Sequence, residues 1–210
     1  MNLEYINKSN NTSRSIKGIL RFTNTQKWPD NLINPGSMGF YNYISFMECY
    51  SQVYLVNSSI KGSLLIDGKN IDFTGGSIYV EKNWGKSFPT SWIWIQINNF
   101  REKSTSVTCS LGKFPFLITN FTGFLIGVTI KNKFYKFTTM NLSKIQIKKY
   151  NNDICLTTYN KKYILLLKTY SKKDNFVLCI GPKDGHMVPL VNETINGRVH
   201  MILKDKKITI

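Results

Sequence analysis

Residues 144–170 read KIQIKKYNNDICLTTYNKKYILLLKTY. Three runs rich in Ile, Leu, Thr and Tyr, Lys144 to Tyr150, Ile154 to Tyr159 and Tyr163 to Tyr170, are separated by Asn151-Asn152-Asp153 and Asn160-Lys161. Strand-forming side chains between tight Asn-rich turns predict neighbouring antiparallel strands. The rhythm continues upstream through Ser106 to Leu111, Phe121 to Ile130, the turn Lys131-Asn132-Lys133, and Phe134 to Thr139. It reaches back to Ser15 to Phe22, to Lys61 to Ile66 and Asn70 to Phe73 flanking Asp67-Gly68, and to Ile78 to Glu81. Asp-Gly between two such runs is a strong hairpin signal. A chain of short strands of this kind is an all-β antiparallel meander, and closure into a barrel removes the exposed edges that a long open meander would leave.

The remaining segments read as connections. Trp28 to Gly39 carries Pro29, Pro35 and Gly36, the residues after Glu81 run as a loop through Pro89, and Gly181 to Pro189 is a Gly/Pro loop. Phe40 to Val56 is aromatic-rich and fits either a strand or an irregular segment. The first fifteen residues are polar and read as frayed. The tail reads as a hairpin of Arg198 to Leu203 with Lys207 to Ile210, and a helix near Val188 to Ile195 fits poorly.

Composition narrows the function classes. The 210 residues contain no alanine, 13% aromatics and 42% hydrophobic residues, which argues against both a helical protein and a disordered tail. The net charge is +16, yet arginine occurs only at positions 14, 21, 101 and 198. Readers of phosphates and bases recruit arginine for its bidentate fork, so nucleic acid is disfavoured, while weak attraction to an anionic membrane surface is expected. The N-terminal stretch has no apolar core and no aliphatic run is long enough to span a bilayer, which suggests a cytoplasmic protein without signal peptide or transmembrane segment. Cys49, Cys109, Cys155 and Cys179 are far apart and form no Cys-x-x-Cys pair. The only histidines, His186 and His200, have no carboxylate cluster beside them, so neither a metal site nor a histidine-based triad is expected. Phosphate-binding glycine motifs are absent.

Chemistry concentrates in residues 75–100, GGSIYVEKNWGKSFPTSWIWIQINNF. Glu81, Lys82, Asn83 and Trp84 precede a strand in which Trp92, Trp94 and Gln96 alternate with Ile93, Ile95 and Ile97, with Asn98 next in phase. Period two places the indoles and the amides on one face and the isoleucines on the other. The bland reading is a tryptophan-rich core strand beside a salt-bridged loop. Amides sharing a face with indoles need partners, which favours the wall of a ligand pocket.

The run Glu81-Lys82-Asn83-Trp84-Gly85-Lys86-Ser87-Phe88-Pro89, followed by Trp92, Trp94, Gln96 and Asn98, resembles the signature of the tocopherol cyclase family. Met38-Gly39-Phe40-Tyr41, Phe46-Met47-Glu48-Cys49-Tyr50, Asp72-Phe73-Thr74-Gly75-Gly76 and the tail Met187 to Leu203, with Glu193, are similar to its bacterial branch. The resemblance covers about Ile16 to Leu203. It departs at Ser51 and Asn99, where bacterial relatives carry histidine. It implies lipocalin-like β-barrels: a partial N-terminal domain over residues 1–76, because family members are longer, and a C-terminal barrel over residues 77–210. The shortened half would leave the pocket without a wall.

The resemblance further implies closure of a prenylated hydroquinone to a chromanol, an isomerisation that needs a proton donor and no cofactor. The donor must stay protonated at neutral pH, which an apolar wall favours for a carboxyl. Glu81, Asp72 and Glu48 are the candidate acids. Lys82, Asn83, Trp84, Trp92, Trp94, Gln96 and Asn98 are the candidate ligand contacts, with the indole faces able to stabilise a cation. Pairing of Glu81 with Lys82 would remove the acid, and the sequence leaves both arrangements open. A noncatalytic carrier of a hydrophobic ligand, a basic surface-binding protein and an inactive remnant are the competing readings. The oligomeric state is not encoded.

Overall fold

Asp67 and Gly68 take left-handed backbone angles, φ 49° and 81°. They close the hairpin of β3 (Cys49–Ile66) and β4 (Lys69–Asp72) that the sequence predicts. The Arg14 guanidinium, 2.7 Å away, and the Ser15 amide hold the Asp67 carboxyl below the usual carboxylate range. The computed structural model describes residues 1–9, 12–45, 47–116, 119–151 and 153–207. Phe46, Asn152 and the expected strand beyond Lys207 lie outside the described residues.

β3 is the spine of the first sheet. It pairs with β2 (Thr12–Lys27) on one edge, and with β4 and β5 (Ser77–Gly85) on the other. β1 (Asn2–Ser9) pairs with β2 from Asn2 opposite Ile19 to Ser9 opposite Thr12. The expectation of a frayed N-terminus is therefore corrected: backbone pairing, which does not depend on polar side chains, recruits it as an edge strand. The loop expected after Glu81 is also corrected, because the strand continues to Gly85 against Cys49.

The second sheet is ordered β6 (Ser91–Ile97), β7 (Ser106–Phe116), β8 (Thr119–Ile130) and β9 (Lys133–Thr138). The third joins β10 (Lys144–Tyr150), β11 (Asp153–Tyr159), β12 (Tyr163–Tyr170) and, after an excursion, β15 (Arg198–Asp205). The excursion is a separate hairpin of β13 (Val177–Lys183) and β14 (His186–Glu193), where the sequence suggested a loop. Its turn, Asp184-Gly185, has both φ values positive, the same geometry as Asp67-Gly68. All pairings among the described residues are antiparallel, so the all-β expectation holds.

The second sheet is clad on both faces. Val107, Cys109, Ile126, Val128 and Phe137 point toward the third sheet and meet Leu156, Leu165 and Leu167 in a wholly apolar core, with Ile95 and Ile97 beside them. The opposite face turns toward the first sheet, where Trp28, Val53, Val56 and Leu125 form a smaller cluster. Trp28 opens a predicted loop yet is buried, its ring edge against Phe134. A third cluster, Leu20, Ile60 and Leu64, stays within the first sheet. No helix of the described residues is long and apolar enough to cross a membrane.

Candidate functional site

A cavity of ≈ 220 Å³ opens between the first sheet and the facing side of β6–β9. Alternation along each strand decides which side chains reach it. On β6, Trp92 and Trp94 line it while Ile95 and Ile97 serve the core on the other face. On β5, Glu81 and Asn83 line it; Lys82 is exposed on the alternate face, its Nζ 5.4 Å from the centroid of Trp84. Trp84 stacks on Tyr50 with ring centroids 5.4 Å apart. Met38 and Tyr41 from the loop after β2, Phe114 and Phe121 from β7 and β8, and Met140 after β9 complete a mostly apolar wall.

The carboxylate of Glu81 is held by neutral donors. Its Oε1 accepts from Ser51 Oγ at 3.2 Å, and its Oε2 accepts from Trp94 Nε1 at 3.1 Å and from the Tyr79 hydroxyl. The salt bridge to Lys82 that the sequence left open is not formed: strand geometry points the two side chains apart. Among the described residues, no cation lies within ion-pair distance of Glu81. Tyr79 also shares a hydrogen bond of 2.9 Å with Thr108 Oγ1. Burial, and then the Glu81 charge, push the Tyr79 phenol well above its ordinary range, so it remains a proton donor toward Glu81. The same two causes push the Cys49 thiol, on the cavity wall, up to about 11. Cys49 is therefore a neutral wall group at pH 7 and not a thiolate nucleophile.

The remaining candidates separate. The Asp72 side chain is exposed at the end of β4, where the Thr74 hydroxyl and amide hold its carboxyl below the usual range. Asp72 therefore caps a turn away from the cavity. The Glu48 side chain is exposed too, and its backbone carbonyl accepts from the amides of Lys86 and Ser87. Gln96 shares the face of Trp92 and Trp94 but lies outside the lining, with its Nε2 buried and without a protein partner. Asn98 follows the end of β6 and also lies outside the lining. Tyr79, Ser51, Thr108 and Phe88 are among the site residues that the sequence reading did not assign. Tyr79 was legible, since a residue two before Glu81 on a strand shares its face.

The 81–89 run has a structural reason for each part. Glu81 and Asn83 face the cavity, and Gly85 lets the strand pass under Glu48. A Cβ at Gly85 would lie 2.1 Å from the Glu48 carbonyl oxygen, and its φ is +140°. Ser87 Oγ accepts from the Asp184 amide at 2.8 Å, and the Phe88 amide donates to the Pro182 carbonyl, tying the run to the β13–β14 hairpin. The Phe88 ring then packs on Trp92 at 5.2 Å. Gly85→Ala is expected to destabilise the fold by about 1–3 kcal/mol through this backbone strain. A thermal melt checks it, and a midpoint matching the parent would remove the argument.

The family model described as tocopherol cyclase-like matches residues 5–209. A protein described as probable tocopherol cyclase, chloroplastic, from Oryza sativa subsp. japonica is 25% identical over 179 residues, covering 80% of this chain and 37% of that protein. The chloroplastic tocopherol cyclase of Zea mays is 24% identical over 179 residues, covering 80% of this chain and 36% of its own length. The chain thus spans a little over a third of the length of these curated relatives. No solved structure matches. The 81–89 run, whose parts the structure explains one by one, falls within the region the family model covers, and the chain belongs to the tocopherol cyclase-like family.

Proposed function

We propose that the cavity closes a prenylated hydroquinone to a chromanol by protonating the prenyl alkene. The observation that carries this reading is the Glu81 carboxyl: it sits on an aromatic wall, is held by three neutral donors, and has no cation beside it. To donate, the carboxyl must carry its proton on Oε1, where Ser51 Oγ can turn from donor to acceptor while Oε2 keeps its bonds from Tyr79 and Trp94.

In the forward step the protonated Glu81 delivers its proton to the less substituted alkene carbon. A tertiary cation forms on the neighbouring carbon, and the indoles of Trp92 and Trp94, which line the cavity, stabilise it through their quadrupoles. The phenol oxygen of the substrate then forms the new C–O bond. Its proton returns to the Glu81 carboxylate, so atoms and charge balance and the formula is unchanged. Tyr79 and Ser51 fix the carboxyl orientation by hydrogen bonds. The cavity is smaller than the ~300–1,000 Å³ of typical drug-sized pockets, which suits the ring and its first prenyl unit with the rest of the chain leaving through the open side.

Turnover in deuterated water tests the proposal. A prenylated methyl-hydroquinone incubated anaerobically with the protein is expected to yield a product of unchanged formula carrying one non-exchangeable deuteron. Recovery of unaltered quinol from folded protein would overturn the cyclase reading for that ligand. Tight binding without conversion would instead identify a carrier.

A further inference from the structure

The most exposed large aliphatic side chains among the described residues are Ile195 (99%), Leu32 (91%), Leu142 (82%) and Ile33 (80%), followed by Val177, Ile180, Met187 and Leu178 at 59–64%. They are not scattered. Leu32 and Ile33 belong to the loop that goes on to place Met38 and Tyr41 in the cavity wall. Leu142 lies two residues after the cavity residue Met140. The other five lie on or just after the β13–β14 hairpin, which contributes Glu193 to the cavity and is tied to Phe88 through Pro182. Every segment that exposes these aliphatics also builds the cavity. Isolated exposed apolar residues need no explanation, but exposure concentrated on the segments that also line one cavity does.

We propose that this apolar rim docks on an anionic phospholipid bilayer, so that a lipid substrate passes from membrane to cavity without crossing water. Charge selects that occupant. The chain carries 28 Lys and Arg against 12 Asp and Glu. The hairpin is bracketed by the exposed Lys172, Lys173, Lys183 and Arg198, against Asp174, Asp184 and Glu193. The balance at the hairpin itself is four cations to three acids, so the attraction to an anionic leaflet comes from the excess of positive charge over the whole chain. General attraction to an anionic leaflet brings the rim to the surface, and insertion of the aliphatics holds it there: two weak signals that together suffice for stable peripheral binding. The hairpin is hydrogen-bonded as a two-stranded sheet of its own, so its outer stripe of Leu178, Ile180 and Met187 can enter the headgroup layer without disturbing the main ladders. The substrate's identity rests on the cyclase reading; docking on the bilayer does not.

Flotation with unilamellar vesicles tests the proposal on the whole chain, with no substrate present. The protein is expected to float with phosphatidylcholine vesicles containing roughly 30% phosphatidylglycerol and to bind pure phosphatidylcholine far less. The double variant Leu178→Asp/Ile180→Asp is expected to lower the partition coefficient at least about tenfold. A second variant, Leu32→Asp/Ile33→Asp, carries the test if the first fails to fold. Lys148→Glu/Lys168→Glu, on the outer face of the third sheet, changes charge away from the rim and is expected to have the smaller effect. Three results would overturn the proposal: no flotation, flotation unchanged in both rim variants, or a greater loss from the third-sheet variant. A dimer that the rim variants convert to monomer, with no vesicle binding, would assign the rim to a second copy instead. Because flotation needs no turnover, a failed cyclisation assay and a failed docking assay remain distinguishable.

Discussion

Glu81→Gln is expected to lower the rate of ring closure by about 10²–10⁴-fold while leaving the protein folded and able to bind the quinol. Glutamine fits the site because its one carbonyl oxygen can take the place of Oε2 and accept from Tyr79 and Trp94. Its amide nitrogen then faces Ser51, whose hydroxyl can turn from donor to acceptor. The hydrogen-bond count survives, but no acidic proton remains. Retained affinity with lost deuteron incorporation is the signature of an acid; equal turnover in parent and variant would remove Glu81 from the mechanism. The same variant separates the competing readings, since a carrier loses nothing that binding can detect.

Phe137→Ala is expected to cost about 3–5 kcal/mol. Phe137 is fully buried where the second and third sheets meet, among Val107, Ile126, Leu156 and Leu165. Five strands converge on that ring, so the void cannot close by moving one side chain. Typical domains have only about 5–15 kcal/mol in hand, so the loss consumes a large share. In a chain of this length the melting midpoint should fall by roughly 6–20 °C. Circular dichroism during heating measures it. A shift of only a degree or two would mean that the core is looser than its burial indicates.

The strands between Ser106 and Tyr170 were legible because they carry their own signals: a period-two pattern and turns whose backbone angles favour Asn, Asp or Gly. Asp67-Gly68 and Lys131-Asn132 both take the positive φ values that hairpin turns need. The N-terminal strand was not legible, because its sequence is mostly polar and only isolated side chains such as Leu3 reach the apolar cluster, while backbone pairing with β2 does the rest. The β13–β14 hairpin was hidden by Gly181, Pro182 and Pro189, which read as loop residues although edge strands tolerate them. Within the site, alternation identified Trp92 and Trp94 as a pocket wall, while Glu81 was singled out by its residue type beside Trp84 and by the family resemblance. Glu81 meets Ser51 only after strands distant in sequence have paired, and Thr108 meets Tyr79 only once the first two sheets pack on each other; no local pattern reports such contacts. The Asp72 and Glu48 candidates came from residue type alone, and the structure places both carboxylates on the surface.

The two-sided cladding of the β6–β9 sheet divides its sequence into two alphabets read by different selective pressures. Along β6 and β8, Ile95, Ile97, Ile126 and Val128 answer to the stability of the shared core. Trp92, Trp94 and Phe121 answer to whatever occupies the cavity. Substitutions at the second set can accumulate with little toll on the first. A lineage can therefore reshape the cavity by drifting at every other position of a few strands, keeping its architecture while overall identity falls. Divergence to about 25% identity across a chain that the family model still matches from end to end is the pattern such a division would leave.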